Sequence, residues 1–171
     1  MGVNEITIEE QLNNLDVHIQ TFVSCIDSLP EAFFLKRMDK HWAPRDVVAH
    51  LIGWNRYTIE GCQQMRRGET PFYFIDPGDD FSKVNAMSVR KYHSRSRRKL
   101  VSELEASAQE LRQFLLSLDP TEWKADYGIR WRRGPVTIRN TVDALIHDYV
   151  LHRQQIEEWA KRVEERLRLS S

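Results

Sequence analysis

Two imidazoles and one carboxylate in this chain have the residue types and spacing of a divalent-cation site. Asp148 and His152 stand four residues apart. On a helix, which advances about 100° per residue, that spacing puts them on one face. His152 shares an apolar stripe with Leu145, Ile156 and Trp159, and Asp148 lies one turn earlier on the same stripe. His50 sits at the edge of another apolar arc, beside Trp54 and Tyr57. An ionised carboxylate on an apolar stripe is costly unless it is paired or holds a cation. If the two helices are neighbours, His50 can meet Asp148 and His152. Two imidazoles and a carboxylate, with positions left for water, suit zinc, nickel or iron. Periodicity leaves a second reading open. An Asp148–His152 hydrogen bond could hold the core in register, with His50 a satisfied core histidine. His147 points to the polar side and is a poor partner for His152. Asp46, four residues before His50, reads as a first-turn helix acid. His18, His41 and His93 read as solvated.

Other chemistry finds no support. The chain has no His-Glu-x-x-His, no Glu-x-x-His, no glycine-rich dinucleotide loop, no P-loop and no Gly-x-Ser-x-Gly. Cys25 and Cys62 are too few for a disulfide framework and read as small buried hydrophobes. Two basic runs, Arg95 to Lys99 and Arg130 to Arg133, could grip phosphate. Yet Lys+Arg and Asp+Glu both number 25, so the net charge is zero. Phosphate binders usually carry a basic excess. The runs therefore read as solvated surface, and no nucleic-acid partner is expected.

Four amphipathic helices must position these residues. In the first, Ile8, Leu12, Leu15, Ile19, Phe22, Ile26 and Leu29 recur at alternating spacings of four and three. Thr7 and Glu10 make a capping box, and Pro30 ends the helix. The second starts at Pro44 and stops near Gly68. Its apolar arc runs through Val47, Val48, Leu51, Ile52, Trp54, Ile59 and Cys62, with Arg45, Ala49, Arg56 and Glu60 opposite. Residues 69–80 form a long connection with Pro71, Pro77 and Gly78, whose Phe72, Tyr73 and Phe74 should fold back over the bundle. A short helical piece follows from Phe81 to Tyr92. The third helix carries Leu100, Leu104, Ala108, Leu111, Leu115 and Leu118 and ends at Asp119-Pro120. An aromatic and basic stretch with Trp123, Tyr127 and Trp131 precedes the fourth, which runs from about Thr137 to Arg166. The expected fold is an all-α four-helix bundle with a long connection between helices two and three. Its 171 residues make one domain, 1–171. No apolar run approaches the ~18–20 residues of a membrane span, and the acidic start is unlike a signal peptide. A cytoplasmic protein without a membrane partner is expected.

Three segments carry a resemblance. His41-Trp42-Ala43-Pro44-Arg45-Asp46-Val47-Val48-Ala49-His50-Leu51-Ile52-Gly53-Trp54 resembles the helix-two signature of the DinB-like superfamily, Trp-x-x-Arg-Asp and then a ligand His followed by Leu. His152-Arg153-Gln154-Gln155-Ile156 is similar to that family's helix-four ending, and Val84-Asn85-Ala86 to the segment after its long connection. The likeness runs from Ile8 to Trp159 in helix order and spacing. It implies a divalent ion, usually nickel or zinc, held by one His of helix two and a His-x-x-x-His pair of helix four. By position these are His50, Asp148 and His152, with Asp148 standing where the family has a His. That carboxylate can still bind a metal, but its charge weakens the ion as a Lewis acid.

The resemblance also implies an activity. Some relatives are thiol transferases that use bacillithiol or mycothiol. A colibactin-resistance and DfsB-like branch shares the Leu51-Ile52-Gly53-Trp54 stretch and is linked to opening or hydrolysing reactive electrophiles. The implied protein is a thiol transferase or hydrolase of stress and detoxification, whose ion activates a thiol or water against an electrophilic small molecule. Trp54, Tyr57, Tyr149 and Trp159 would wall the ion, and Arg153 would position an acidic thiol cofactor. A homodimer is expected. A non-catalytic bundle, serving as a binding or dimerisation module without metal, is the alternative.

Overall fold

Capping decides where the helices begin. Thr7 Oγ1 accepts from Glu10 N at 3.1 Å and Glu10 Oε2 accepts from Thr7 N at 2.8 Å, so α1 (Ile8–Ser28) starts where this box closes. It ends at Leu29, whose backbone is extended (ψ 137) because Pro30 follows. Pro30 opens a single turn, α2 (Glu31–Phe34). Next, α3 (Pro44–Arg66) begins on its proline, and Asp46 Oδ2 accepts from Ala43 N at 2.9 Å. It stops where Gly68 takes φ +75 and the N–H groups of Gly68 and Glu69 return to the carbonyls of Met65 and Gln64. Then come α4 (Ser82–Tyr92), α5 (Arg97–Leu116), a 3₁₀ turn (Pro120–Glu122), two short strands β1 (Arg130–Trp131) and β2 (Gly134–Pro135), and α6 (Ile138–Leu169). This computed structural model describes residues 6–74, 80–132 and 134–171. Pro77, Gly78 and Arg133 lie outside the described residues.

The expected all-α bundle is present. Its four long members are α1, α3, α5 and α6. Contacts pair α3 with α5 and α6, and α1 with α6 and α5, and their apolar stripes meet in one core. Two details differ from the sequence reading. The segment before α6 holds an antiparallel pair, Arg130 opposite Pro135 and Trp131 opposite Gly134. Directly after Trp131, Arg132 takes φ +51, a conformation that tight antiparallel turns favour. Secondly, Ala49, assigned to the polar side of its helix, is fully buried. The reason is that α3 is flanked by α2, α4, α5 and α6, so an arc facing one neighbour does not describe it.

The α3–α4 contact is close because Gly53 permits it. A Cβ there would lie 2.2 Å from Ser88 Cβ. A Cβ atom cannot swing aside, so the overlap outweighs the gain of about 1 kcal/mol in helix propensity. Gly53→Ala is expected to destabilise the protein by about 2 kcal/mol. A urea midpoint equal to that of the wild type would contradict the packing.

Both cysteines are buried in this core. Burial pushes the Cys62 thiol up to about 12 and, helped by Glu157, the Cys25 thiol to about 11. The nucleophile is the thiolate, so a disulfide reagent at pH 8 should leave the folded protein unlabelled for hours. In urea both thiols should react. Rapid labelling without urea would count against this placement.

Candidate metal centre

The three residues singled out by spacing come together. His50 Nε2 lies 2.8 Å from Asp148 Oδ2, and His152 Nε2 lies 3.2 Å from Asp148 Oδ1. One carboxylate thus joins two imidazoles from α3 and α6, whose ring centroids are 4.9 Å apart. A carboxylate only accepts, so both Nε2 atoms carry hydrogen in this arrangement. Burial holds the pKa of His50 below that of an ordinary imidazole, although Asp148 pulls the other way. His50 is therefore neutral, and its buried Nδ1 makes no hydrogen bond. Asn85, whose Oδ1 accepts from Trp54 Nε1 at 2.7 Å, sits beside the ring. Burial would raise the Asp148 pKa, but hydrogen bonds to His152 and His50 outweigh it and keep the carboxyl well below the usual carboxylate range.

This donor set fits a divalent ion. One atom from each of the three residues lies within 4.8 Å of the others. Ligands sharing an ion at ~2.1 Å stand roughly 3.4 Å apart in a tetrahedron, so small side-chain rotations suffice. No other group of three His, Cys, Asp or Glu meets that test among the described residues.

A cavity of about 710 Å³ opens beside the triad. Trp42 packs over both imidazoles, with centroids 4.9 Å from His50 and 6.0 Å from His152. Sequence reasoning missed Trp42 as a wall, although it heads the Trp-x-x-Arg-Asp motif. Its position depends on a local turn, in which Asp39 Oδ1 accepts from His41 N at 2.7 Å and Trp42 N at 2.9 Å. Asn85, Phe74, Phe81 and Trp131 were missed as well, and all line the cavity.

The expected wall residues divide. Trp54 lines the cavity, whereas Tyr57, Tyr149, Arg153 and Trp159 do not. Tyr57 packs edge-on to Trp54 at 5.8 Å and to Phe72 at 5.2 Å. Tyr149 follows Asp148 by one residue, about 100° round the helix, and so faces the bundle axis. Its hydroxyl donates to Asn55 Oδ1 at 2.8 Å. Trp159, about 10 Å farther along α6 than His152, packs on Phe33 at 5.8 Å. Arg153 pairs with Glu157 at 3.0 Å. His147 is exposed on the cavity rim and does not join the triad.

Comparisons with known proteins bear on the fold. The DinB superfamily model matches residues 14–156. No curated protein matches in sequence. A protein from Streptococcus pneumoniae superposes with TM-score 0.76 at 16% identity, covering 94% of each chain. The colibactin self-resistance protein ClbS superposes with TM-score 0.72 at 16% identity, over 93% of this chain and 98% of that one. The mycothiol-dependent maleylpyruvate isomerase does so with TM-score 0.69 at 14% identity, over 87% of this chain but 60% of its own. At these identities the likeness is one of fold.

One expectation is corrected here. No nucleic-acid partner was expected, but ClbS is crystallised in complex with dsDNA. Zero net charge is a sum over the whole surface and does not exclude a local contact with phosphate. Here Arg95 pairs with Glu103, Arg97 with Glu31 and Arg130 with Asp126. Among the described residues, no helix is long and apolar enough to cross a membrane.

Proposed function

This chain belongs to the DinB superfamily, and on that premise we propose that it holds a divalent cation on His50, Asp148 and His152 and turns a thiol or water on an electrophilic small molecule. The observation that carries the reading is the convergence of two imidazoles on one ionised carboxylate at the wall of a cavity. A zinc or nickel ion there would lower the pKa of a bound thiol or water. The rest is done by the chain. Neutral His50 has no charge to lose, and its Nε2 would present a lone pair once the ring hydrogen sits on the buried Nδ1, beside Asn85. Asp148 orients both rings, and its negative charge offsets part of the ion's. Trp42 and Trp54 cover the imidazoles and keep water from their apolar side. A low-molecular-weight thiol as co-substrate is supported by the mycothiol-dependent neighbour alone, and water is the other nucleophile.

A second reading is favoured by one observation. Both carboxylate oxygens of Asp148 already have a hydrogen-bond partner without any ion, as a metal-free binding module would need. Elemental analysis of protein purified without a nickel column separates the two. About one zinc or nickel per chain, or binding at micromolar affinity or better, supports the first. Neither result would leave the metal-free module.

A further inference from the structure

Four aromatic rings from four separate segments meet at the cavity: Trp54 of α3, Phe74 of the connection, Phe81 before α4 and Trp131 of β1. Phe74 and Trp131 stack with centroids 4.3 Å apart and planes 25° from parallel. Phe81 meets Trp54 edge-on at 5.4 Å and lies tilted by 34° against Trp131 at 5.8 Å. Rings in a core are normally enclosed, yet all four of these are half-buried and face open space. Backbone strain points to the same place. Among the described residues, the two non-glycine residues with positive φ are Phe81 (+66) and Arg132 (+51), and both line this cavity. The hairpin loop accounts for Arg132. A helix N-cap takes an extended backbone, so α4 does not require the left-handed conformation of Phe81. Tertiary contacts hold that ring against Trp54 and Trp131, and such strain persists where the surrounding structure over-determines it, commonly at ligand sites.

We propose that this wall is a ring-binding subsite, and that the small molecule taken into the cavity carries a flat, predominantly apolar ring system. The proposal rests on the reading of the cavity as the substrate site. Rings presented both face-on and edge-on complement an aromatic ligand, because aromatic pairs prefer offset-stacked and edge-to-face arrangements over a simple apolar contact. A cationic ligand fits less well, since the Arg132 guanidinium already lies over the Trp131 ring at 5.7 Å.

N-phenyl-1-naphthylamine, a neutral ring compound that fluoresces in apolar surroundings, tests the subsite on the whole, EDTA-treated protein. Saturable micromolar binding is expected. Trp131→Leu, which keeps apolar bulk but removes the ring, should weaken binding about tenfold, and Trp131→Phe should retain it. Decanol should compete at least tenfold more weakly than 2-naphthol. The probe is read on metal-stripped protein, so its binding does not depend on an ion, which separates this proposal from the metal reading. Probe binding without metal binding leaves the subsite standing and removes the ion, and the reverse pattern removes the subsite. Absence of saturable binding, equal affinity in Trp131→Leu, or equal competition by decanol overturns the proposal. If circular dichroism shows Trp131→Leu unfolded, Phe74→Leu takes its place: the same loss of affinity is expected, and an unchanged affinity again overturns the proposal.

Discussion

Replacing His50 by alanine is expected to lower the affinity for zinc or nickel by more than about 100-fold. Loss of an outer partner of a metal ligand already costs about 10–100-fold, and loss of a ligand costs more. Only the Asp148–His152 pair on α6 would remain to hold the ion. At a metal concentration 100 times its Kd, the wild type should gain about 2.7 kcal/mol of stability. For a domain of this size that raises the melting temperature by roughly 5–11 °C. The variant should show no such rise, whereas His147→Ala, outside the triad, should keep it. The variant also loses stability without metal, because Asp148 gives up a charged hydrogen bond worth roughly 1.5–3 kcal/mol. The metal effect is therefore read as the difference between melts with and without the ion.

Acid should act in the same direction as the mutation. Protons compete with the metal for imidazole nitrogen, so affinity falls as pH falls. Burial lowers the pKa of His50, so its ring stays unprotonated farther into acid than an exposed histidine. Asp148 stays ionised throughout, held down by its two imidazole partners. Affinity should accordingly hold near pH 7 and fall below the ordinary imidazole range of about 6.5. Titration calorimetry at pH 7.5, 6.5 and 5.5 reads this slope. A His50→Ala protein that binds as tightly as the wild type would remove the triad as the metal site.

The triad was legible because its geometry is mostly local. Asp148 and His152 lie on one helix, and their spacing alone puts them on one face. His50 needed only that α3 and α6 be neighbours, which a four-helix bundle readily supplies. Stripe membership could not tell which side of α6 faces the cavity. Tyr149 and Asp148 are adjacent in sequence, yet one anchors the core while the other holds two imidazoles. The ring wall was illegible for a different reason. Phe74, Phe81 and Trp131 sit in segments with little periodicity, and only tertiary packing brings the connection against the hairpin. Caps and stops at Thr7, Pro30, Pro44 and Gly68 depend on neighbouring residues alone and could be read directly.

Asn55→Ala is expected to destabilise the protein by about 3 kcal/mol, more than any other single polar substitution in the core. Asn55 is fully buried on α3. Its Nδ2 donates to Ser107 Oγ of α5 at 2.9 Å, and its Oδ1 accepts from the Tyr149 hydroxyl of α6 at 2.8 Å. Ser107 Oγ in turn donates to Leu104 O at 2.9 Å. One side chain thus ties three of the four long helices together. Removing it strands the Tyr149 hydroxyl without an acceptor, and a buried group left unsatisfied costs about 1–3 kcal/mol. Ser107 loses a donor but keeps its bond to Leu104, so its share is smaller. The cavity left behind adds to both. For a chain of this length the loss lowers the melting temperature by roughly 6–12 °C. Tyr149→Phe should cost less, since it removes the stranded hydroxyl along with the bond. The double variant should fall short of the sum of the single losses, because each has already broken the same hydrogen bond. Strictly additive losses would show that the two side chains do not interact. Tyr149 is adjacent to Asp148, so loosening it should also weaken metal binding, by far less than His50→Ala does.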